Sequence, residues 1–528
     1  MNRQVKIVII DDGVNEKLYN AGSLWLNLEV TRDQQIRKRA DDCPYKPSHG
    51  TTCGAIIKKY SPDALLGSIK VLNETGRGVR DQLVTALCWC ADNDIKLVNL
   101  SLGTIDFRDY EAVRMAVNYA ERRGVIIVAA CNNGNIFTQP ASLSNVIGVK
   151  CDMEGKLKEG QYRYHCYPLD GIDITACAAH FLLKYDDGGK TTSPCNSFAA
   201  PMITAVVCNI LQQSPSMSFQ EMKRKLAQGA ENTLLENWHA NMSPRADWIE
   251  NAIVFNVSCS KIKVPFSGTR INEIDIVCDK NEENIERVLE YLKESEEILN
   301  GIDTVIAKFS HLTRVVNETS LLNLVRFLES KDKNLVCLDD KMLYKNFYNN
   351  YSGERIKIFH PSVYANVTIG EKLNIDVPVI AIYDFSGIEF LNCIGNLKDI
   401  FREKGYNAIA VSDTCIGMAA GIEYLPCMGM TPWSESDHTT LEHLNRIYNP
   451  DIILIGIDSF NRESDYLETL EKKYEIDIKC CIAHNAIDPV TESENFMVCI
   501  EDGGKYYAEI LYNNIIELFL KNNKLSGA

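Results

Sequence analysis

The first 232 residues alternate between short apolar runs and longer stretches with helical spacing. The apolar runs include VKIVII, LLGSIKVL, IKLVNLSLG and VIIVAACNNG, and stretches such as DQLVTALCWCADND and EAVRMAVNYAERRG lie between them. Continuous apolar strands that alternate with amphipathic helices are typical of a parallel sheet covered by helices on both faces. The pattern therefore predicts a doubly wound α/β domain over residues 1–232.

The alternation stops after residue 232 and resumes further along. Residues 233–270 carry Pro, Ser, Asn and Gly around one short apolar run, NAIVFNVS, which is typical of a connection. Beyond it, EIDIVCD, DTVIAKF, NLVCLDD, VPVIAIYD, YNAIAVSD and PDIILIGID again alternate with helical patterns. We therefore predict a linker at 233–270 and one or two further α/β domains within 271–528, with a seam near residues 360–377.

Composition points to a soluble chain in a reducing compartment. Hydrophobic residues make up 45% and charged residues 24%, and no apolar run approaches the roughly 18 residues of a membrane span. The run VKIVII ends in two aspartates rather than a small-residue cleavage site, which favours a buried strand over a signal peptide. Nineteen cysteines, an odd number without an export signal, favour free thiols over a disulfide framework. We expect a cytoplasmic location and no membrane partner.

The formal net charge of −16 narrows the range of partners. Nucleic acid and anionic lipid both repel a strongly acidic protein, because neither gains by meeting more negative charge. Proteins or peptides are therefore the expected partners.

Three polar residues stand at element ends in the order acid, histidine, serine. Asp11 ends the strand VIIDDG, His49 opens the helix pattern HGTTCGAII, and Ser197 opens NSFAAPMITAVVCNIL. Acyl transfer by serine needs a base, an acid that orients the base, and donors for the oxyanion. The three residues are therefore a candidate catalytic triad. Each motif alone also has a structural explanation, since DDG is an ordinary turn and a serine can cap a helix.

These blocks resemble those of the subtilisin-like serine proteases, which usually read D-[ST]-G, H-G-T-H and G-T-S-M-A-x-P. This chain reads DDG, HGTT and CNSFAAP, so that Thr52, Cys195 and Asn196 depart from the family without touching the triad. The resemblance covers about residues 1–232 and implies a subtilisin-like fold and a serine endopeptidase without a cofactor. No metal is expected, because the segment after His49 is too short for the calcium loop of many secreted members.

The resemblance also implies the remaining site residues. In VIIVAACNNG, Asn132 corresponds to the side-chain oxyanion donor that acts beside the Ser197 backbone N–H. A peptide substrate would lie as an added strand between two edges. These edges are formed by Gly76, Arg77 and Gly78 on one side and by Ser101, Leu102 and Gly103 on the other. Thr138 is expected near the floor of the specificity pocket.

The C-terminal half carries two weaker resemblances. Residues from about 377 to 528 look like a P-loop NTPase without its GK[ST] signature, so we predict a degenerate nucleotide fold used for binding rather than a nucleotide site. The segments GYNAIAVSDTCIGMAAGIEYLP and PDIILIGID are similar to proteins of clostridial-type modified-peptide maturation systems. That similarity implies removal of a leader from a ribosomally made precursor peptide, with the C-terminal half binding the precursor or its modifying enzymes.

Two other functions remain open at this point. One is a general regulatory or degradative intracellular subtilase, and the other is a non-catalytic scaffold that retains the fold to bind peptides.

Ten residues precede Asp11, so the chain is expected to lack the inhibitory prosegment of secreted relatives. Unwanted cleavage of other proteins would then be limited by narrow specificity, by a partner, or by the C-terminal half.

Overall fold

The computed structural model describes residues 4–19, 21–40, 44–232, 238–257, 270–276, 284–309, 318–338, 353, 355–359, 375–384, 390–425, 440–458, 475–483, 496–499 and 505–525. The chain divides into two compact units, Met1–Ser243 and Pro244–Ala528. Each unit is an α/β structure with mainly parallel strands, as the apolar pattern predicts.

A nine-stranded sheet forms the centre of the first unit. Its strands are β1 (Lys6–Asp11), β2 (Leu26–Val30), β3 (Ile36–Lys38), β4 (Leu65–Lys70), β5 (Leu97–Leu100), β6 (Ile126–Ala130), β7 (Ile147–Cys151), β8 (Tyr162–Tyr164) and β9 (Ile174–Ala176). In space they follow the order β3-β2-β4-β1-β5-β6-β7-β9-β8. The β2–β3 and β8–β9 pairs are antiparallel and the other pairs are parallel. A separate hairpin joins β10 (Phe181–Leu183) and β11 (Gly189–Thr191).

Helices cover both faces of this sheet. They are α1 (His49–Tyr60), α2 (Arg80–Asp92), α3 (Tyr110–Arg122), α4 (Asn196–Gln213) and α5 (Phe219–Gln228), with a short 3₁₀ turn at Phe107–Asp109. Alternate residues of β1 enter opposite cores: Ile7 and Ile9 pack with α1 and α4, while Val8 and Ile10 pack with α2 and α3. The run VKIVII is continuously apolar because β1 is buried on both faces. The predicted doubly wound α/β class is confirmed.

The second unit contains two parallel sheets. The first has the order β13-β12-β14-β15-β16 and the second β19-β18-β20-β17-β21-β22. The first consists of β12 (Asn251–Val257), β13 (Arg270–Ile276), β14 (Thr304–Phe309), β15 (Asn334–Leu338) and β16 (Ile358–Phe359). The second consists of β17 (Val379–Asp384), β18 (Ala408–Ser412), β19 (Glu423–Tyr424), β20 (Ile452–Asp458), β21 (Ile478–Ala483) and β22 (Phe496–Cys499).

Helices accompany both of these sheets. They are α6 (Asn284–Glu294), α7 (Glu318–Ser330), α8 (Phe390–Glu403), α9 (Thr440–Tyr448) and α10 (Lys505–Leu525), with 3₁₀ turns at Glu296–Leu299 and Cys415–Ala420. Within the described ranges of the whole chain, none of the helices combines the length and the apolar character that crossing a bilayer requires.

The boundary between the units differs from the predicted linker at 233–270. Strand β12 lies inside that range and pairs with β13 on one side and β14 on the other, so the second unit begins before residue 271. Its apolar residues are buried because these two neighbours and their helices cover them. Those neighbours lie later in the chain, so the composition around NAIVFNVS does not reveal them. The predicted seam at 360–377 falls between β16 and β17, and the P-loop-like loop after β17, residues 385–389, lies outside the described residues.

We predict that a chain ending at Ser243 folds on its own, because both apolar cores of the first unit are built from residues of that unit. The truncated chain should show one cooperative thermal transition by circular dichroism. A chain ending at residue 192 is the matched control; it lacks α4, whose buried Met202 and Ile203 belong to the core, and should not fold. Aggregation of the 243-residue chain, or loss of its cooperative transition, would contradict the prediction.

Candidate active site

The predicted site residues meet at the carboxyl edge of the nine-stranded sheet. Asp11 ends β1, Ser101 follows the adjacent strand β5, and Asn132 follows β6. His49 begins α1, and Ser197 is the second residue of α4. Strands are added on one side of β1 early in the chain and on its other side later, and the loops that leave such a switch point form a crevice. The fold therefore places these five residues at one edge of the sheet, and four of them line the groove described below, whereas Asn132 is not among its lining residues.

Asp11 and His49 form a hydrogen bond at the centre of the site. His49 Nδ1 lies 2.9 Å from Asp11 Oδ2 and 3.1 Å from Oδ1, and the Asp12 backbone N–H donates to Oδ1 at 2.8 Å. The Asp11 side chain is fully buried, whereas that of His49 is 35% exposed. An ionised Asp11 holds the proton on Nδ1 and leaves Nε2 as the acceptor. The ring is therefore arranged to act as a base toward the crevice.

Burial and the partner's charge shift the pKa values of Asp11 and His49 in opposite directions. Burial raises the pKa of the Asp11 carboxyl, and the hydrogen bond and charge of His49 oppose that rise. Burial by itself lowers the pKa of His49, but the hydrogen bond and charge of Asp11, together with the charge of Asp12, outweigh it and raise that pKa above its ordinary value. The two carboxylates thus favour the imidazolium form of His49.

Asp12 fixes the beginning of α1. Its carboxylate accepts the backbone N–H of His49 at 3.0 Å and that of Gly50 at 2.8 Å, two donors that have no partner inside the helix. A Cβ on Gly50 would lie 2.9 Å from the Gly13 carbonyl oxygen and 3.1 Å from the Asp11 Cβ, so only glycine allows this approach. The sequence analysis did not predict that Asp12 binds the start of α1. The one indication was that the chain reads DDG where the family usually reads D-[ST]-G.

Ser197 is tied to Ser101 by two hydrogen bonds. The Ser101 hydroxyl donates to the Ser197 carbonyl at 2.8 Å, and the Ser197 hydroxyl donates to the Ser101 carbonyl at 3.4 Å. The next residue, Phe198, stacks on the His49 ring with centroids 5.3 Å apart. Rotation of the Ser197 hydroxyl toward His49 is needed for proton transfer, and hydrogen bonds of this kind commonly tighten only when substrate is bound.

Asn132 lies in a loop that is held by its own side chains. Its backbone N–H donates to Thr138 Oγ1 at 3.1 Å, and its Oδ1 accepts the Ile136 N–H at 3.1 Å. The Nδ2 group has no hydrogen-bond partner within the described part of the chain, which leaves it available as a donor. Thr138 differs from its predicted position: it does not line the groove described below, and its buried hydroxyl supports this loop by donating to Ile136 O at 2.7 Å.

A groove of about 640 Å³ runs past the Asp11–His49 pair and Ser197. Both predicted substrate-binding edges line it. These edges are Gly76, Arg77 and Gly78 after β4, and Ser101, Leu102 and Gly103 after β5. The groove therefore joins the proposed reactive groups to two backbone segments that can each hold an extended peptide.

Most charged side chains of the groove are already paired. Glu74 binds Lys46 at 2.8 Å, and Arg80 binds Asp81 at 2.7 Å. Arg77 is exposed, and the described residues supply no ion-pair or hydrogen-bond partner for its guanidinium. An arginine fork suits a carboxylate, so Arg77 is the groove group most open to an acidic substrate side chain.

Cys53 lies one helical turn after His49, beneath the site. Its Sγ lies 3.4 Å from Ser101 Oγ and 4.0 Å from Asp11 Oδ2, and within the described ranges Asp11, His49 and Cys53 form the one set of three potential metal ligands with all ligand atoms within 4.8 Å. Burial, reinforced by the charge of Asp11, raises the Cys53 pKa well above its ordinary value. A metal would have to deprotonate this thiol and displace the Asp11–His49 hydrogen bond, so packing explains the residue better.

Comparison with known proteins finds a family model that matches the first part of the chain. Residues 2–246 match the family model described as "Peptidase_S8: Subtilase family". A curated relative, subtilisin of Bacillus sp. (strain TA39), is 27% identical over 272 residues, which cover 45% of this chain and 63% of the relative. Subtilisin BL of Lederbergia lenta is 26% identical over 239 residues, which cover 42% of this chain and 81% of the relative. The chain thus spans less than two thirds of the first relative's length.

Solved structures also resemble part of the chain. The S41 psychrophilic protease is 23% identical with a TM-score of 0.37, over 43% of this chain and 83% of that chain. The nisin leader peptidase NisP from Lactococcus lactis is 17% identical with a TM-score of 0.36, over 44% of this chain and 83% of that chain.

We predict that the His49 ring titrates above its ordinary pKa of about 6.5. The neutral base then accumulates only at pH values above this raised midpoint. Replacing Asp12 by Asn removes a negative charge that favours the imidazolium, so the midpoint should fall. NMR titration of the His49 ring protons measures both, with Asp109→Asn as a control that removes a groove carboxylate without an effect on the His49 pKa. A wild-type midpoint below 6.5, or no shift in Asp12→Asn, would show the electrostatic account to be wrong.

Proposed function

We propose that this chain, whose residues 2–246 match the subtilase family model, is a serine endopeptidase. The observation that carries the proposal is a single groove lined by Asp11, His49, Ser197 and both peptide-binding edges. In this groove the base, the acid that orients it and a hydroxyl nucleophile lie beside a channel for an extended chain, which is the arrangement that acyl transfer to serine requires.

Each residue has a distinct role in the proposed reaction. His49 Nε2 takes the proton of Ser197 Oγ as this oxygen attacks the peptide carbonyl, and Asp11 stabilises the resulting imidazolium. Asn132 Nδ2 and the Ser197 backbone N–H donate to the oxyanion, and the N-terminus of the 18-residue helix α4 also favours negative charge there. His49 then protonates the departing amine, and water releases the acyl group by the reverse sequence.

The proposed substrate is a precursor peptide, with removal of its leader as the biological event. A groove between two backbone edges accepts an extended segment as an added strand, and an unpaired Arg77 gives that segment a charge requirement. The resemblance of residues 405–426 to peptide maturation proteins suggests that the second unit binds the precursor or its modifying enzymes. Precursor cleavage and this partnership are parts of the proposal, as is a cytoplasmic location.

We predict that Ser197 reacts with a fluorophosphonate probe. Intact-mass and peptide mass spectrometry of the wild-type protein should show one adduct on Ser197, and Ser197→Ala should show none because the nucleophile is gone. Ser193→Ala is a matched control, since Ser193 is an exposed serine just before α4 and its loss should leave labelling unchanged. Absence of an adduct on folded wild-type protein would favour the non-catalytic scaffold instead.

We predict that Arg77 selects an acidic residue at a fixed position near the cleaved bond. Cleavage-site profiling of a peptide library by mass spectrometry should show this preference for the wild type. Arg77→Glu should reverse it toward basic residues, whereas Lys46→Glu, which alters a cation already paired with the groove residue Glu74, should not. An unchanged profile in Arg77→Glu would exclude this role. Broad cleavage of unfolded proteins without any preference would favour the degradative function over precursor processing.

A further inference from the structure

We propose that Asn196 is a positioning residue that ties the Asn132 loop to the first turn of α4. The Asn132 loop is the segment 131–138 between β6 and β7. The inference rests on the proposed function, because it concerns how the oxyanion donor and the nucleophile keep one relative geometry. Asn196 occupies the position directly before Ser197, so any restraint on it acts on the nucleophile through a single peptide unit.

The Asn196 side chain connects three separate segments. It is 2% exposed, and its Oδ1 accepts the Cys151 backbone N–H of β7 at 2.7 Å. Its Nδ2 donates to the Asn132 carbonyl at 2.6 Å and to Asn135 Oδ1 at 2.9 Å. One amide thus uses its acceptor and both of its donor hydrogens, which fixes which way it points.

The loop also binds back to the helix. The Asn196 backbone N–H, one of the donors that a helix start leaves unpaired, donates to Asn133 Oδ1 at 3.2 Å. Asn135 holds a left-handed backbone with φ of 53°, and its N–H donates to the Asn132 carbonyl at 3.0 Å. The loop is therefore a tight turn whose polar groups converge on Asn196.

These contacts matter for the proposed reaction because its oxyanion accepts hydrogen bonds from both the Asn132 loop and the first turn of α4. The Asn196 side chain binds the Asn132 carbonyl, and its backbone is bonded directly to Ser197, so that it links the two proposed oxyanion donors. A displacement of about 1 Å between catalytic groups can cost about 100-fold in rate. Threonine, the usual family residue here, carries one hydroxyl hydrogen and could not donate to both loop acceptors. The asparagine therefore makes a connection that the family residue cannot make in full.

Asn196→Asp is the sharpest test variant. It keeps the shape and the acceptor for the Cys151 N–H, but it places a carboxylate oxygen against the Asn132 carbonyl and Asn135 Oδ1, where no hydrogen is left to bridge them. Asn145→Asp is the matched control: Asn145 is also about 2% exposed in the first unit, and its amide donates to Asn118 Oδ1 rather than to the site. Both variants change one buried asparagine by one atom.

Hydrogen exchange of the full-length protein tests the connection without using activity. Asn196→Asp should raise amide exchange in residues 131–138, while Asn145→Asp should leave that segment as protected as in the wild type. Unchanged exchange in Asn196→Asp would overturn the proposal whether or not the protein is a peptidase. Equal loosening in the control would also overturn it, because the effect would then be general destabilisation.

Kinetics tests whether the connection serves the reaction. Asn196→Asp should lower kcat by about 10- to 100-fold with little change in KM, and Asn145→Asp should keep kcat. Asn132→Ala should cost roughly 10²- to 10³-fold, a magnitude known from subtilisin. Adding Asn196→Asp to Asn132→Ala should cost less than the product of the two separate losses, because part of the effect passes through the donor already removed. Fully multiplicative losses would overturn the positioning role.

The fluorophosphonate adduct distinguishes a failure of the peptidase assignment from a failure of the Asn196 inference. If wild-type Ser197 is labelled but Asn196→Asp behaves like the Asn145→Asp control in exchange and kcat, the peptidase assignment stands and the Asn196 inference fails. If wild-type Ser197 is not labelled on folded protein, the peptidase assignment fails, and hydrogen exchange alone still decides whether Asn196 holds the loop.

Discussion

The hydrogen bond between Asp11 and His49 joins the middle of the sheet to the helix that covers it, and the rest of the site is arranged around this bond. Asp11 is fully buried because β1 is covered on both faces, and a buried carboxylate is stable only when donors surround it. The His49 ring, the Asp12 backbone N–H and the Cys53 thiol surround it in this structure. The packing that buries the Asp11 carboxylate therefore also orients the His49 imidazole toward the groove.

Much of the first unit follows from local patterns in the sequence. The two-sided burial of β1 is visible in VKIVII, and the positions of Asp11, His49 and Ser197 at element ends place them at one edge of a parallel sheet. The Gly76–Gly78 and Ser101–Gly103 segments reach the groove as the family resemblance implies. These features are predictable because each depends on the residues of a single element or on a rule that holds for all parallel sheets.

The features that the sequence does not reveal depend on contacts between distant segments. The Asn196 amide meets β7 and the Asn132 loop, and Thr138 turns inward to support that loop instead of facing the groove. The composition around strand β12 is that of a linker, and only its pairing with β13 and β14 makes it part of a sheet. No spacing within the chain encodes such meetings, because side-chain orientation and strand partners are decided by tertiary packing.

The stacking of Phe198 on His49 has a consequence for the motion of the base. During the proposed reaction the ring must alternate between neutral and cationic forms, and an aromatic face within about 6 Å attracts a cation by roughly 0.5–1 kcal/mol at an exposed site. The same flat contact opposes rotation of the imidazole about its bond to Cβ. Asp11 thus holds the His49 ring at its Nδ1 edge, and Phe198 holds the ring on its face. A proton can then move to or from Nε2 in the proposed reaction without rotation of the ring.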